Sequence, residues 1–189
     1  TFDTLSLHDA LPIFPITTVL AALVLGGGLA AQTAEDAAPP SAEEMQAAMT
    51  TPAAFAERAA SANRFEIQSS ELALELSQSD AVRAFAEKMV GDHRAAGERM
   101  TAAAGEEGVT PVEALMPDHQ SQLDNLSGLT PAEFDAAYLA AQLAAHVEAV
   151  NLFEGYANQG PEGALKTFAA ETLPKLQEHR AEVEPLAQP

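Results

Sequence analysis

The sequence predicts an all-α fold, an antiparallel four-helix bundle in residues 52–189. Four long segments carry apolar residues at alternating steps of four and three, the spacing that aligns side chains along one face of a helix. No segment alternates apolar and polar residues as a half-buried strand would. Short turns join the helices within each pair, so each pair should pack antiparallel, while the longer connection between the pairs also allows a crossover.

Three segments precede the predicted bundle. Residues 1–13 resemble the translation of a common DNA-sequencing adaptor, and we exclude them from the prediction of the fold. Residues 14–31 combine an apolar run with small residues but lack the basic segment that comes first in a signal peptide, so we expect a truncated signal peptide. Residues 32–51, rich in alanine, glutamate and proline, predict a flexible linker.

The apolar run within residues 14–31 sets the expected location. It is shorter than the roughly 20 residues that span a bilayer, so we expect cleavage, export to the periplasm and no stable membrane span afterwards. The alternative is an uncleaved segment that anchors the protein to the inner membrane. The chain contains no cysteine, which excludes disulfides and thiolate metal ligands.

The first two predicted helices are joined by a short turn. Pro52 suits the first turn of a helix, where its missing N–H costs no hydrogen bond, and this helix should run to about Ser77. Ser79 is a good N-cap for the second helix, which should run to about Ala104 and end at Gly105.

The longer connection covers residues 109–129 and contains helix-breaking proline and glycine. It predicts two short helices, at 112–116 and 119–126. We expect His119, which lies within this connection, to be at the surface.

The third helix has a clear start, because Thr130 and Glu133 form the pattern of a capping box with proline at the first helical position. A break centred near Gly160 separates it from the fourth helix. The fourth helix should run to about Leu186, with one backbone hydrogen bond lost and a kink at Pro174.

One strongly polar residue interrupts the apolar face of each predicted helix. The four residues are Glu66, His93, His146 and His179. Glu66 and His93 are nearly equally far from the turn that joins their helices, so antiparallel packing should bring them to one level. The same count brings His146 and His179 to within about one helical turn of each other. The offset between the two pairs does not follow from the sequence.

These four side chains need polar partners if they are buried. One possibility is a transition-metal ion, Zn, Fe or Cu, which imidazole and carboxylate groups bind together. The other is a Glu–His hydrogen-bond network with trapped water and no metal. Gln142, one turn from His146, and Asp92, next to His93, are the candidates for residues that support the cluster from outside.

The spacing does not match a di-iron carboxylate site, which needs Glu-x-x-His on two helices. The residues three before the histidines are apolar, namely Val90, Leu143 and Leu176. Asp135 is three turns from His146, too far to complete the cluster. Oxygen activation is therefore disfavoured, and the sequence favours a binding protein over an enzyme.

The charge distribution excludes one class of partner. The formal net charge is −19, and none of the nine basic residues lies between Arg99 and Lys166. Such a surface repels phosphate backbones, so we expect no nucleic-acid binding. The charge identifies no protein partner.

Several spaced motifs resemble the family called domain of unknown function 4142. They span most of the chain after residue 52, and they are Phe65-Glu66-Ile67, the run from Val82 to His93, Phe134-Asp135 with Tyr138 and His146, and Phe168-Ala169 with Leu173-Pro174 and His179. The resemblance implies an exported bacterial protein with a ferritin-like helical bundle. Members are often described as membrane or outer-membrane proteins.

The resemblance also implies that certain polar residues recur in the family. They are Glu66, Asp92, His93, Asp135, His146 and His179. The family has no settled activity, so the expected function depends on the residues themselves. We expect non-catalytic binding of a transition metal, and the alternative is a structural or stress-response interaction module with a buried Glu–His network.

Overall fold

The computed structural model describes residues 38–188, and the regular secondary structure in this part of the chain is all helix, without a strand. The helices are α1 (Ala42–Thr50), α2 (Pro52–Leu76), α3 (Asp80–Glu106), α4 (Pro117–Ser127), α5 (Pro131–Gln159) and α6 (Ala164–Leu186). The predicted all-α fold is therefore confirmed. The predicted adaptor and signal peptide, residues 1–31, lie outside the described residues, as does the first part of the predicted linker.

The helix starts follow from local capping. Pro52 begins α2, and the Ser79 side chain accepts a hydrogen bond from the backbone N–H of Val82 at the start of α3. At the start of α5, the Thr130 and Glu133 side chains form the expected capping box. α6 continues through Pro174, whose missing N–H leaves one turn of the helix without its backbone hydrogen bond.

The prediction of a flexible linker over residues 32–51 is wrong for its second half, which forms α1. A capping box between Ser41 and Glu44 starts this helix, and Ala48 is buried. The Met49 side chain packs so closely on α5 that a Cβ atom at Gly155 would lie 2.6 Å from it. Alanine and methionine on one face therefore give this acidic, proline-flanked segment a stable place on α2 and α5.

The long connection forms one helix where two were expected. Residues 112–116 are not helical, and Val112 is exposed. α4 begins at Pro117, two residues earlier than expected, and packs on α2 and α5. Arg58 of α2 holds its start, because the buried guanidinium contacts Asp118 at 2.7 Å and donates to Glu148 of α5, also at 2.7 Å.

Each of the four long helices contacts two others. α2 packs on α3 and α5, and α6 packs on the same two helices. One core cluster joins the start of α2 to the end of α3, the end of α5 and the start of α6; it includes Phe55, Met100, Tyr156 and Leu165. A second cluster joins the opposite ends of the same helices and includes Ala73, Val82, Phe134 and Val183.

The two clusters fix the helix directions. α2 and α6 run one way, and α3 and α5 run the other, so every contacting pair of long helices is antiparallel. α3 and α5 are parallel, and the connection that contains α4 therefore crosses the length of the helices. In residues 38–188 no helix is both long enough and apolar enough to cross a membrane.

Candidate metal centre

The four polar residues of the helix faces meet between the two core clusters. Glu66, His93, His146 and His179 are all buried, with at most 4 % of each residue exposed. The centroids of the three imidazole rings are 5.4 to 5.7 Å apart. One ring nitrogen from each histidine lies within 4.8 Å of the other two. The structure thus places both pairs at the same level of the helices. The sequence does not predict this, because it leaves the offset between the two pairs undetermined.

The Glu66 carboxylate lies against two of the histidines. Its Oε2 atom contacts His93 Nε2 and is 3.6 Å from His146 Nε2. Oε1 is also buried and has no hydrogen-bond partner. A buried carboxylate oxygen without a partner is costly, so Oε1 is poised for one.

The three histidines share one arrangement, in which one ring nitrogen contacts an oxygen acceptor on the outer side of the cluster. The contacts are His93 Nδ1 to Asn63 Oδ1 at 3.0 Å, His146 Nδ1 to the Gln142 main-chain oxygen at 2.8 Å, and His179 Nε2 to Asp92 Oδ2 at 2.8 Å. None of these oxygens can donate a hydrogen, so in a neutral His146 or His179 ring the outer nitrogen carries the proton. His93 differs, because its inner nitrogen also contacts an acceptor, the Glu66 carboxylate.

The inner nitrogens of His146 and His179, Nε2 and Nδ1, are therefore the ones with free lone pairs, and both are buried without a hydrogen-bond partner. The inner nitrogen of His93, Nε2, lies against the Glu66 carboxylate. Metal-binding histidines are held in this way, because an acceptor on the outer N–H fixes the tautomer and aims the other nitrogen at the ion.

The charges of the cluster are set by burial and by close contacts. Burial raises the pKa of Glu66, but the imidazoles of His146 and His93 outweigh it and hold that pKa well below its ordinary value. Burial lowers the pKa of His179 to about 4, despite the hydrogen bond to Asp92. Burial also raises the pKa of Asp92, and the His179 contact more than reverses it. At neutral pH Glu66 and Asp92 are thus carboxylates, and His179 is neutral.

Both residues expected to support the cluster contact it, each in a way that the sequence does not reveal. Asp92 is on α3 but reaches His179 on α6. Gln142 uses its main-chain oxygen to hold His146, while its side-chain amide donates to Ser69 Oγ at 2.9 Å. Whether they tune a metal ion stays a prediction.

Asn63 is the supporting residue that sequence reasoning missed. It lies on α2, three residues before Glu66, and its side-chain oxygen orients His93. Gly97 of α3 makes room for it, since a Cβ atom there would lie 2.9 Å from Asn63 Nδ2. A polar residue one turn from a polar core position, opposite a mid-helix glycine, is the signal that could have identified it.

His119 is buried, which contradicts the prediction from the sequence. We expected it at the surface, but it is buried, its Nδ1 atom is 2.7 Å from Ser61 Oγ, and its ring stacks on Phe65. Burial, with Arg58 nearby, lowers the pKa of His119. The backbone N–H of Met116 donates to Ser61 Oγ, so this pair ties the α4 segment to α2 and is separate from the histidine cluster.

The fold and the site define a class: an all-helical protein with three histidines and a glutamate joined in its core. The family described as "Domain of unknown function (DUF4142)" matches residues 36–186, and the chain belongs to that family. The match confirms the resemblance seen in the motifs, and it includes α1. No curated protein and no solved structure matches the chain.

Proposed function

We propose that this protein binds one divalent transition-metal ion, Zn, Fe or Cu, through His93, His146, His179 and Glu66. The observation that carries the proposal is the common orientation of the three imidazoles. Each has its outer nitrogen satisfied by an oxygen acceptor. The inner nitrogens of His146 and His179 have no hydrogen-bond partner, and that of His93 lies against the Glu66 carboxylate. A metal ion bound at the inner nitrogens and the carboxylate would satisfy all of these buried groups together.

A metal-free Glu–His network is less well supported by the same atoms. Such a network stabilises a core when its members bond to one another. Here the Glu66–His93 contact is of that kind, but Glu66 Oε1, His146 Nε2 and His179 Nδ1 lack hydrogen bonds, and each unsatisfied buried group costs about 1–3 kcal/mol. The total is too large to leave unexplained in a protein of ordinary stability.

The donor set limits the kind of metal. Three imidazoles and one carboxylate suit Zn, Fe and Cu, and the chain has no thiolate to select a softer ion. Zinc–nitrogen bonds of about 2.0–2.1 Å give about 3.4 Å between ligands in a tetrahedron. The ring nitrogens are within 4.8 Å of one another, so movements of about an ångström complete the site.

The proposal includes the setting of the site. The parallel α3 and α5, linked by a connection that runs the length of the helices, support a ferritin-like four-helix bundle. Among the described residues Glu66 is the carboxylate that contacts inner ring nitrogens, whereas Asp92 contacts an outer one, and we propose a mononuclear binding site without di-iron chemistry. Export to the periplasm belongs to the proposal, and N-terminal sequencing of the mature protein tests it, with a start upstream of Leu25 counting against cleavage.

Metal analysis tests the binding proposal. Protein purified without a tag should retain or take up about one metal per chain and should unfold at a higher temperature when loaded. His146→Ala should abolish both effects. His119→Gln is the matched control, because it removes a buried histidine outside the cluster, so its metal content should equal that of the wild type.

Two results would count against binding at this site. Less than about 0.1 metal per chain, with no thermal shift from Zn, Fe or Cu, favours the structural alternative. A thermal shift that survives His146→Ala places the metal elsewhere, for example on acidic surface residues.

A further inference from the structure

A layer of small residues lies on one side of the histidine cluster. One turn from the cluster residues, toward the core cluster that contains Phe55, three of the four long helices carry alanine: Ala62, Ala96 and Ala149. On the other side the corresponding residues of α3, α5 and α6 are larger: Met89, Gln142 and Val183. The cluster is therefore packed on one side and open on the other.

A cavity of about 30 Å³ occupies the open side. Glu66, His93 and His179 line its inner end, where the buried Glu66 Oε1 and His179 Nδ1 atoms have no hydrogen-bond partner. It reaches toward the surface beside Asp92, which is half-buried, and Lys175, which is exposed. One water-sized group needs about 10–15 Å³ of such space, so the cavity fits a molecule of two or three heavy atoms.

We propose that this cavity holds an added ligand of the metal, a singly charged anion of two or three heavy atoms such as azide, hydroperoxide or superoxide. The inference rests on the metal site proposed above. It adds that a fifth coordination position, beyond the three histidines and Glu66, faces the cavity and is open to a molecule from solvent.

Charge favours an anion in this position. A divalent ion with one carboxylate and three neutral imidazoles carries a net charge of +1. One monoanion brings the metal group to zero, which suits walls made of alanine, Phe153 and Leu176. At the surface end of the cavity the charge of Lys175 is offset by Asp92 and by Glu178, which Lys175 contacts at 2.8 Å, so the attraction for an anion comes from the metal group.

Azide binding to the cobalt-loaded full chain tests the inference. Co(II) replaces the native ion, and its visible spectrum reports a change of ligands. The wild type should show a saturable spectral change with azide. Ala96→Leu, which fills the cavity, should weaken azide binding by about tenfold or more while the cobalt content stays the same. Ala95→Leu, on the exposed side of α3, is the matched control and should bind azide like the wild type.

The outcomes separate the two proposals. A wild type that takes up no cobalt overturns both the metal site and the cavity ligand. A fully loaded wild type whose spectrum ignores azide overturns the cavity ligand and leaves the metal site intact. Equal azide affinity in Ala96→Leu and the wild type also overturns it. If Ala96→Leu lowers the cobalt content, Ala62→Val on the facing helix makes the same comparison with a smaller added volume.

Discussion

Each histidine of the cluster has two ring nitrogens in different surroundings, and this difference carries the proposed function. The outer nitrogens contact oxygen acceptors on three separate helices, α2, α3 and α5. One nitrogen of each ring lies within 4.8 Å of the others, and the inner nitrogens of His93 and His146 also lie beside Glu66. The outer acceptors thus orient the rings before any metal binds, which lowers the free-energy cost of organising the site.

The tautomers are the first testable consequence. His146 should carry its proton on Nδ1, and His179 should carry it on Nε2, because those nitrogens contact acceptors and the other nitrogen of each ring has no hydrogen-bond partner. Long-range nitrogen–proton NMR spectra of the metal-free protein at neutral pH distinguish the two forms. His119 provides an internal reference outside the cluster. Fast exchange between tautomers in both His146 and His179 would contradict the arrangement.

The Asp92 carboxylate gives a second prediction at this scale. Asp92→Asn removes the charge that faces His179 Nε2 but keeps an oxygen acceptor. Loss of such an outer partner costs about 10- to 100-fold in metal affinity. Competition with a chelator of known affinity measures it. Glu87→Gln, an exposed carboxylate on the same helix, is the control, and equal affinities of the two variants would show that Asp92 does not tune the site.

At the scale of helices, two glycines of α3 differ in whether a side chain of α2 packs against them. Gly97 lies where Asn63 packs, whereas Gly91, less than two turns earlier on α3, has nothing within 4 Å of the place where a Cβ atom would be. The two glycines are thus alike in helix propensity and different in surroundings.

Substitution of the two glycines separates these effects. Gly91→Ala should stabilise the protein by up to about 1 kcal/mol and leave metal affinity unchanged. Gly97→Ala gains the same propensity but displaces Asn63, which frees His93, so metal affinity should fall. Denaturant unfolding and metal titration of both variants measure the two quantities. Unchanged affinity in Gly97→Ala would contradict the role assigned to Asn63.

Most helix bounds and the pairing of Glu66 with His93 could be predicted from the sequence. The features that could not be predicted have physical causes. The turn near Ser79 fixes the level at which Glu66 and His93 meet, because the number of residues to each of them is counted from this same turn. No such reference point links the two helix pairs, since a connection of variable path lies between them. α1 is missed because its alanine and glutamate also suit a linker, although Ser41 and Glu44 carry the capping signal.

Asn63 and His119 show the limit at the level of side chains. Asn63 is off the apolar face that the 4-3 spacing selects, and its role depends on which residue of α3 lies opposite. His119 is in a connection, where burial depends on how α4 packs on α2. Both roles depend on contacts between helices, which a single sequence does not define.

The stability of the whole molecule depends on pH, because the fold buries His179 as a neutral side chain. The pKa of His179 is about 4 in the folded chain and about 6.5 in the unfolded one. Between these values the unfolded state binds more protons. The contribution of His179 to the free energy of unfolding is therefore complete above pH 6.5 and is lost as the pH falls through about 4.

Unfolding of the metal-free protein by urea between pH 7.5 and 4 tests this prediction. The free energy of unfolding should fall with acid by up to about 3 kcal/mol from this group. The charged or titratable groups around it act on the same curve; they are Asp92, Lys88, Lys175, His93, His146 and Glu66. His179→Gln should flatten the curve, and an equally steep curve in that variant would assign the effect to other groups.

The net charge of −19 raises the competing explanation for any metal found with this protein, which is weak binding by surface carboxylates. X-ray absorption at the zinc edge of the protein loaded with one equivalent separates the two directly. Ligation by the core cluster predicts the outer-shell scattering of three imidazole rings, with first-shell distances of about 2.0–2.1 Å. A shell of oxygen atoms without imidazole scattering would contradict the metal site.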